Sequence, residues 1–363
     1  SLARFGGNAA SKIFNLFTLS ATVSYALDIF GGERRTVESL KAQVDFQRFV
    51  VAGTYLTLSG NIVNSVVAGA AYREQIKVTE QMIELIREQV AITEMQAQAG
   101  IVPYSNVLAL RSQLAAAEAT IPPLRQKMNQ TEHLLATLEG LPPAEYDPQP
   151  VGLADLALPG DLPVTLPSEL VRQRPDILAA EARLHSASAE IGVATAALFP
   201  NFTLNGAFGQ TNTSLNDFFK NTASFWSLGA NAATPLFHGG TLWFKRRAAI
   251  ESYNQALADY RQTVLAAFAQ VADTLRALEH DAESVRAQSQ SLSAAKEALS
   301  LIQANYEAGT VNYLQVLTAD NQYHQANIGY LQAQALRLQD TVALFTALGG
   351  GWWNNEKKVS VDK

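Results

Sequence analysis

The sequence predicts an α+β membrane protein in which long coiled-coil helices are joined to the strands of a transmembrane β-barrel. First, the chain of 363 residues repeats itself at an offset of 209 residues, with heptad periodicity in both copies. Second, three short segments alternate between apolar and small polar residues. Heptads are typical of helices that pack along a seam, whereas alternation over about ten residues is typical of transmembrane β-strands.

The internal repeat divides the chain into two similar halves. Residues 98–108 match residues 307–317, and residues 134–140 match residues 344–350 at an offset of 210. The slip of one residue is explained by the pair Pro122-Pro123, because a helix must bend or break at proline. The order of the matches indicates that both halves share one architecture.

This organisation predicts two repeats around a connector. The first repeat covers residues 1–140 and contains a loop, one strand and a helical hairpin at 37–139. The connector covers residues 141–175 and holds eight of the 13 prolines. The second repeat covers residues 176–352 and contains a helix, two strands and a second hairpin at 241–348, and residues 353–363 are expected to be a disordered tail.

Each hairpin is predicted to consist of a long helix, a tight glycine turn and a return helix. The long helices are expected at about residues 37–97 and 241–305, and the return helices at about 104–139 and 313–348. A helix of about 60 residues is on the order of 90 Å long, so it cannot be buried inside a compact domain. Apolar residues beside the heptad stripe indicate neighbours on two sides of each helix, as in a closed cylinder of helices.

Three segments break the helical period and alternate with a period of two. They are residues 17–30, 202–211 and 225–237, and their polar faces carry mostly Ser, Thr, Asn and Gly. An ordinary half-buried antiparallel sheet gives the same pattern, but such a sheet has no evident use for helices of this length. The repeat predicts a fourth strand, so we expect a missing N-terminal portion on the order of 100 residues.

Composition narrows the function classes. The 27 Lys and Arg against 33 Asp and Glu give a net charge of −6, which argues against a nucleic-acid binder. The absence of cysteine excludes disulfides and thiolate metal sites, and no run approaches the roughly 18–20 apolar residues of a membrane-spanning helix. The five histidines lack metal-binding spacing, and Glu279-His280-Asp281 is expected on a solvent-exposed helix face. We therefore expect neither an enzyme nor a metal site.

Five short motifs occur in a fixed order. They are Leu-Asp-Ile-Phe-Gly-Gly at 27–32, Arg-Gln-Arg-Pro-Asp-Ile at 172–177, Ala-Leu-Phe-Pro at 197–200, Pro-Leu-Phe-His-Gly-Gly at 235–240 and Ala-Leu-Gly-Gly-Gly-Trp at 347–352. Together with the glycine turns, they resemble the TolC superfamily, and within it the OprM/NodT-type outer-membrane efflux lipoproteins. The resemblance implies a homotrimer in the outer membrane of a Gram-negative bacterium. Each protomer would give four strands to a β-barrel, three of them present here, and an α-helical barrel would continue into the periplasm.

The resemblance also implies a function and partners. We expect the outer-membrane exit duct of a tripartite efflux pump, passively conducting drugs or other small amphiphiles. The expected partners are a periplasmic adaptor protein, an inner-membrane RND transporter and outer-membrane lipid. No cofactor is expected, and the family's lipid anchor would lie on a cysteine of the missing N-terminus. A type I protein-secretion duct and, in a different class, a soluble coiled-coil scaffold are the alternatives.

Candidate functional residues lie at the hairpin turns. By resemblance, the periplasmic gate is formed by Leu314, Gln315 and Thr318. Family members often carry aspartates at the last two positions, so an acidic cation-binding ring is not expected here. Reversal of the chain at two glycines places both turns at a tip that can meet a partner, and the positions expected to contact the adaptor are Gly100, Val102, Tyr104, Gly309, Val311 and Tyr313.

Overall fold

The computed structural model describes residues 15–149, 151–158, 173–213 and 224–350, and the loop and tail expected at the two ends lie largely outside them. The described elements, in chain order, are β1 (Phe17–Leu27), α1 (Gly32–Gln98), α2 (Tyr104–Glu118), α3 (Ile121–Glu139), two 3-10 turns (Pro143–Glu145 and Leu153–Asp155), α4 (Pro175–Ala196), β2 (Asn201–Asn212), β3 (Ser224–Ala233), α5 (Thr241–Glu307) and α6 (Tyr313–Ala347).

The chain forms two compact units that cut across the sequence repeats. We call them the sheet unit, Ser1–Phe46 with Ala180–Tyr260, and the hairpin unit, Gln47–Ala179 with Arg261–Lys363. Each unit combines corresponding parts of both repeats. The repeats expected from the sequence are therefore not the two compact units.

The sheet unit contains one antiparallel sheet in the order β1–β2–β3. Val23 lies opposite Gly206, which lies opposite Leu228, so the apolar side chains of all three strands share one face. Val23 is 72% exposed and Leu228 is 78% exposed. On the other face, the Ser24 hydroxyl donates to Asn205 Oδ1 at 2.8 Å. The predicted division into an apolar and a small polar face is confirmed.

The strands end at different residues from those predicted. β1 ends at Leu27 rather than residue 30, and β3 ends at Ala233 rather than residue 237. After β1, the Asp28 carboxylate accepts the backbone N–H groups of Glu33 at 3.0 Å and Arg34 at 2.9 Å. These bonds satisfy free donors in the first turn of α1, so the motif at 27–32 is a junction between strand and helix.

In the hairpin unit, α1 packs against α2, α3 and α6. Its heptad residues Ile83, Ile86 and Val90 are buried in one cluster with Leu110 of α2 and Leu317 of α6. The return helix predicted at 104–139 is divided into α2 and α3, because prolines occupy the first turn of α3. The return helix of the second repeat, α6, is continuous over 35 residues.

One of the described helices, α1, contains an 18-residue window with a mean hydropathy of 1.3. By length and composition alone, this window is apolar enough to cross a membrane, so the expectation that no run approaches such a length is wrong. Only 17% of the window is buried. The chain itself therefore leaves an apolar stretch of α1 uncovered.

Candidate functional site

The two hairpin turns have the same backbone geometry. Gly100 follows α1 and Gly309 follows α5, both with a φ of 71°, a left-handed conformation that favours glycine. In each turn, the residue after the glycine donates its N–H to the carbonyl oxygen five residues earlier, at 2.8 and 2.9 Å. This is the bonding pattern that terminates helices at a left-handed residue. The repeat in sequence is thus a repeat in turn structure.

The candidate docking residues differ in exposure between the two turns. Tyr104 is 59% exposed, whereas its counterpart Tyr313 is half-buried and packs against the apolar cluster of α1, α2 and α3. Tyr313 also makes an edge-to-face contact with Tyr306 at 5.5 Å between ring centroids. Both candidate valines, Val102 and Val311, are half-buried. Tyr313 therefore fixes its turn to the hairpin, while Tyr104 is available to a partner.

The candidate gate residues share one exposed side of the first turns of α6. Leu314 is 64% exposed, and Gln315 and Thr318 are exposed as well. The Thr318 hydroxyl donates to the Leu314 carbonyl oxygen at 2.9 Å. The Gln315 N–H donates to Oδ1 of Asn312, which caps the helix. The three side chains are thus exposed on the surface of the chain.

An acid and a histidine lie on the opposite, buried side of α6. His324 Nε2 is 3.4 Å from Asp320 Oδ1, within ion-pair distance but without hydrogen-bond geometry. Burial, followed by the charge of Asp320 and the neighbouring Tyr306, raises the pKa of Tyr313. Asp320, the acid nearest to the gate in sequence, therefore does not belong to the exposed gate face.

A buried arginine joins three parts of the hairpin unit. Arg174 Nη1 donates to the Ala347 carbonyl oxygen at 2.6 Å, and Nη2 donates to Asp176 Oδ2 at 2.7 Å and Gln270 Oε1 at 3.0 Å. Asp176 also accepts the Ile177 N–H at 2.9 Å at the start of α4. The motif at 172–177 therefore links the start of α4 to α5 and α6.

Comparison with known proteins decides the family. Residues 5–141 and 166–350 match the family described as outer membrane efflux protein. The chain belongs to this family. The pyoverdine export outer membrane protein OpmQ of Pseudomonas putida is 32% identical over 345 residues, which are 95% of this chain and 73% of OpmQ. The outer membrane protein OprJ of Pseudomonas aeruginosa is 30% identical over 338 residues, 92% of this chain and 69% of OprJ.

A solved structure supports the same assignment. The outer-membrane channel OprN matches with a TM-score of 0.85 and 27% identity, over 94% of this chain and 82% of that chain. The resemblance to the TolC superfamily is confirmed, as are the outer-membrane location and the role in efflux. The soluble coiled-coil scaffold is therefore excluded. These relatives of the efflux protein are export proteins and channels rather than enzymes.

In this outer membrane efflux protein, Glu279 and His280 are exposed as expected, but the expectation is wrong for Asp281. Asp281 is only 6% exposed, although the sequence placed Glu279-His280-Asp281 on a solvated face. Burial, followed by a hydrogen bond with Asp340 and the charge of that residue, raises the pKa of Asp281 to about 6. Because α5 and α6 are antiparallel across the hairpin, both acids face each other, which heptad periodicity alone does not reveal. Among the described residues, no group of three metal-ligating side chains occurs.

Proposed function

We propose that this efflux protein is a homotrimeric exit duct in a tripartite pump, closed in the membrane by strand pairing between protomers. The sheet carries this proposal, because one face is apolar and exposed and β1 and β3 are its edges. An unpaired strand edge in lipid leaves backbone groups without partners, so further strands must close the sheet. A barrel with four strands per protomer and a polar lumen meets that requirement.

The helices of the hairpin unit support a trimer in the same way. Large apolar side chains are more than half exposed along α1 and α5, among them Val51, Tyr55, Leu265 and Leu301. Exposed apolar surface on this scale marks a contact with another protein surface. Packing of three copies into a cylinder of helices would cover it.

The proposed cargo is small amphiphilic molecules, and no cofactor or catalytic step is part of the proposal. OpmQ is named for pyoverdine export, and another relative, SrpC of Pseudomonas putida, for solvent efflux. These names favour efflux of small molecules over the type I secretion of proteins. An adaptor protein and an inner-membrane RND transporter would supply the cargo.

The proposed gate and tip lie at one end of the hairpin unit. Leu314, Gln315 and Thr318 would converge from three protomers and narrow the duct, and an adaptor would contact the turns at Gly100 and Gly309. The exposure of all three gate side chains supports this arrangement. Opening would require a partner that binds the open tip more tightly than the closed one.

Conductance of the full-length protein in planar lipid bilayers tests the proposal. We expect Leu314→Ala with Gln315→Ala to raise single-channel conductance while the trimer stays intact, because packing and amide hydrogen bonds of the closed state are lost. Leu336→Ala, an exposed position of α6 far from the turn in sequence, is the matched control. Unchanged conductance in the double variant would refute the gate, and absence of any channel would refute the duct.

A further inference from the structure

The sheet unit carries exposed aromatic and basic side chains where α5 begins. We call this group the collar, and it consists of Trp243, Phe244, Lys245 and Arg247. Trp243 is 52% exposed and Phe244 is 61% exposed, with their rings in edge-to-face contact at 5.0 Å. The Arg247 guanidinium lies 5.6 Å from the centroid of the Trp243 ring. Trp243, Phe244 and Arg247 are therefore neighbours on one exposed surface, and Lys245 is exposed on the same turn of α5.

The collar follows the end of the sheet from which the long helices begin. Leu27 lies opposite Phe202, which lies opposite Ala232, so β1 and β3 end where β2 begins. Directly beyond this edge, Phe30 and Phe199 stack at 4.6 Å between ring centroids. The apolar face of the sheet thus gives way first to aromatic side chains and then to basic ones.

The basic residues of α5 differ in their surroundings. From Thr241 to residue 250 the chain has three basic and no acidic side chains. Arg246 turns inward and its Nε donates to Thr195 Oγ1 at 3.1 Å. Lys245 and Arg247 are exposed, and neither forms an ion pair with a described residue. By contrast, Arg34 at the start of α1 is paired with Asp28. The collar therefore presents two exposed positive charges with no acidic partner among the described residues.

We propose that the collar binds the phosphate headgroups of anionic phospholipids in the periplasm-facing leaflet of the outer membrane. Tryptophan is suited to the boundary between acyl chains and headgroups because its ring is apolar and its N–H is polar. Basic side chains beside that boundary attract anionic headgroups. The collar combines both groups at the edge of an apolar sheet face. This inference rests on the proposed function, in which the sheet crosses the membrane.

Lipid titration of the full-length trimer in neutral detergent tests the inference. Native mass spectrometry would count bound phosphatidylglycerol and phosphatidylcholine at low salt. We expect phosphatidylglycerol to bind more tightly than phosphatidylcholine. The double variant Lys245→Gln with Arg247→Gln should weaken phosphatidylglycerol binding by about fivefold for each charge removed. Lys245→Arg with Arg247→Lys should retain the preference. Arg276→Gln, an exposed arginine in the hairpin unit, is the control and should bind as wild type does.

The outcomes separate the lipid from other occupants. Equal binding of both lipids, or an unchanged glutamine double variant, would overturn the inference. Displacement of phosphatidylglycerol by millimolar inorganic phosphate would also overturn it, because the site would then be a simple anion site. Loss of the trimer in the glutamine variant would assign the collar to a contact between protomers instead. Insertion of the wild-type protein into lipid vesicles is measured alongside. Failure to insert would refute the proposed function, whereas insertion without a preference for phosphatidylglycerol would refute only the lipid binding by the collar.

Discussion

Replacement of Arg174 by methionine should loosen the end of α6 from the rest of the hairpin unit. The Arg174 side chain is 9% exposed and bonds to Ala347, Asp176 and Gln270. Removing one partner of a buried ion pair costs about 3–5 kcal/mol. Asp176 is half-exposed and regains hydration in the variant, so we expect the lower end of this range, about 3 kcal/mol.

Hydrogen exchange of the backbone amides near Ala347 measures this loss. Exchange reports the free energy of local opening, so a change of about 3 kcal/mol corresponds to roughly hundredfold faster exchange. Arg276→Met is the control, because Arg276 forms an exposed pair with Glu279 that contributes little. Arg174→Lys should restore only part of the protection, since an ammonium lacks the planar fork. Wild-type exchange in Arg174→Met would refute the assigned role.

Three further predictions test the membrane face, the acid pair and the gate. Leu228→Arg should cost about 2–4 kcal/mol if it faces the bilayer midplane, whereas Ser227→Arg should cost much less; equal trimer yields from membranes would contradict the barrel. The raised pKa of Asp281 means that its ionisation, between about pH 4 and pH 6, destabilises the folded state. Asp281→Asn should therefore lessen the fall in Tm between about pH 4 and pH 6, and an unchanged dependence of Tm on pH would refute this effect of Asp281. Gln315→Asp with Thr318→Asp should introduce block by divalent cations in bilayer recordings, and its absence would count against the gate.

The sequence predicts which helices and strands form better than it predicts which residues of different helices come into contact. Heptads identify Ile86 as buried because the seam of a long helix repeats in the chain itself. Alternation identifies Leu228 as a member of the apolar face for the same reason. The raised pKa of Asp281 depends in part on Asp340, 59 positions away in the chain, and the bonds of Arg174 depend on two further helices. No local pattern contains that information.

The two sides of α6 constrain how the proposed gate can open. On one side, Leu314 and Gln315 are exposed. On the other, Leu317 is buried with Ile83 and Ile86 of α1, and Tyr313 packs against the same cluster. Pulling α6 alone outward would expose Leu317, and a buried leucine is worth about 1.5–3 kcal/mol relative to an exposed one. Movement of α6 together with α1 keeps that cluster intact. A partner that engages both glycine turns of a protomer can therefore open the gate at a lower free-energy cost than one that engages the Gly309 turn alone.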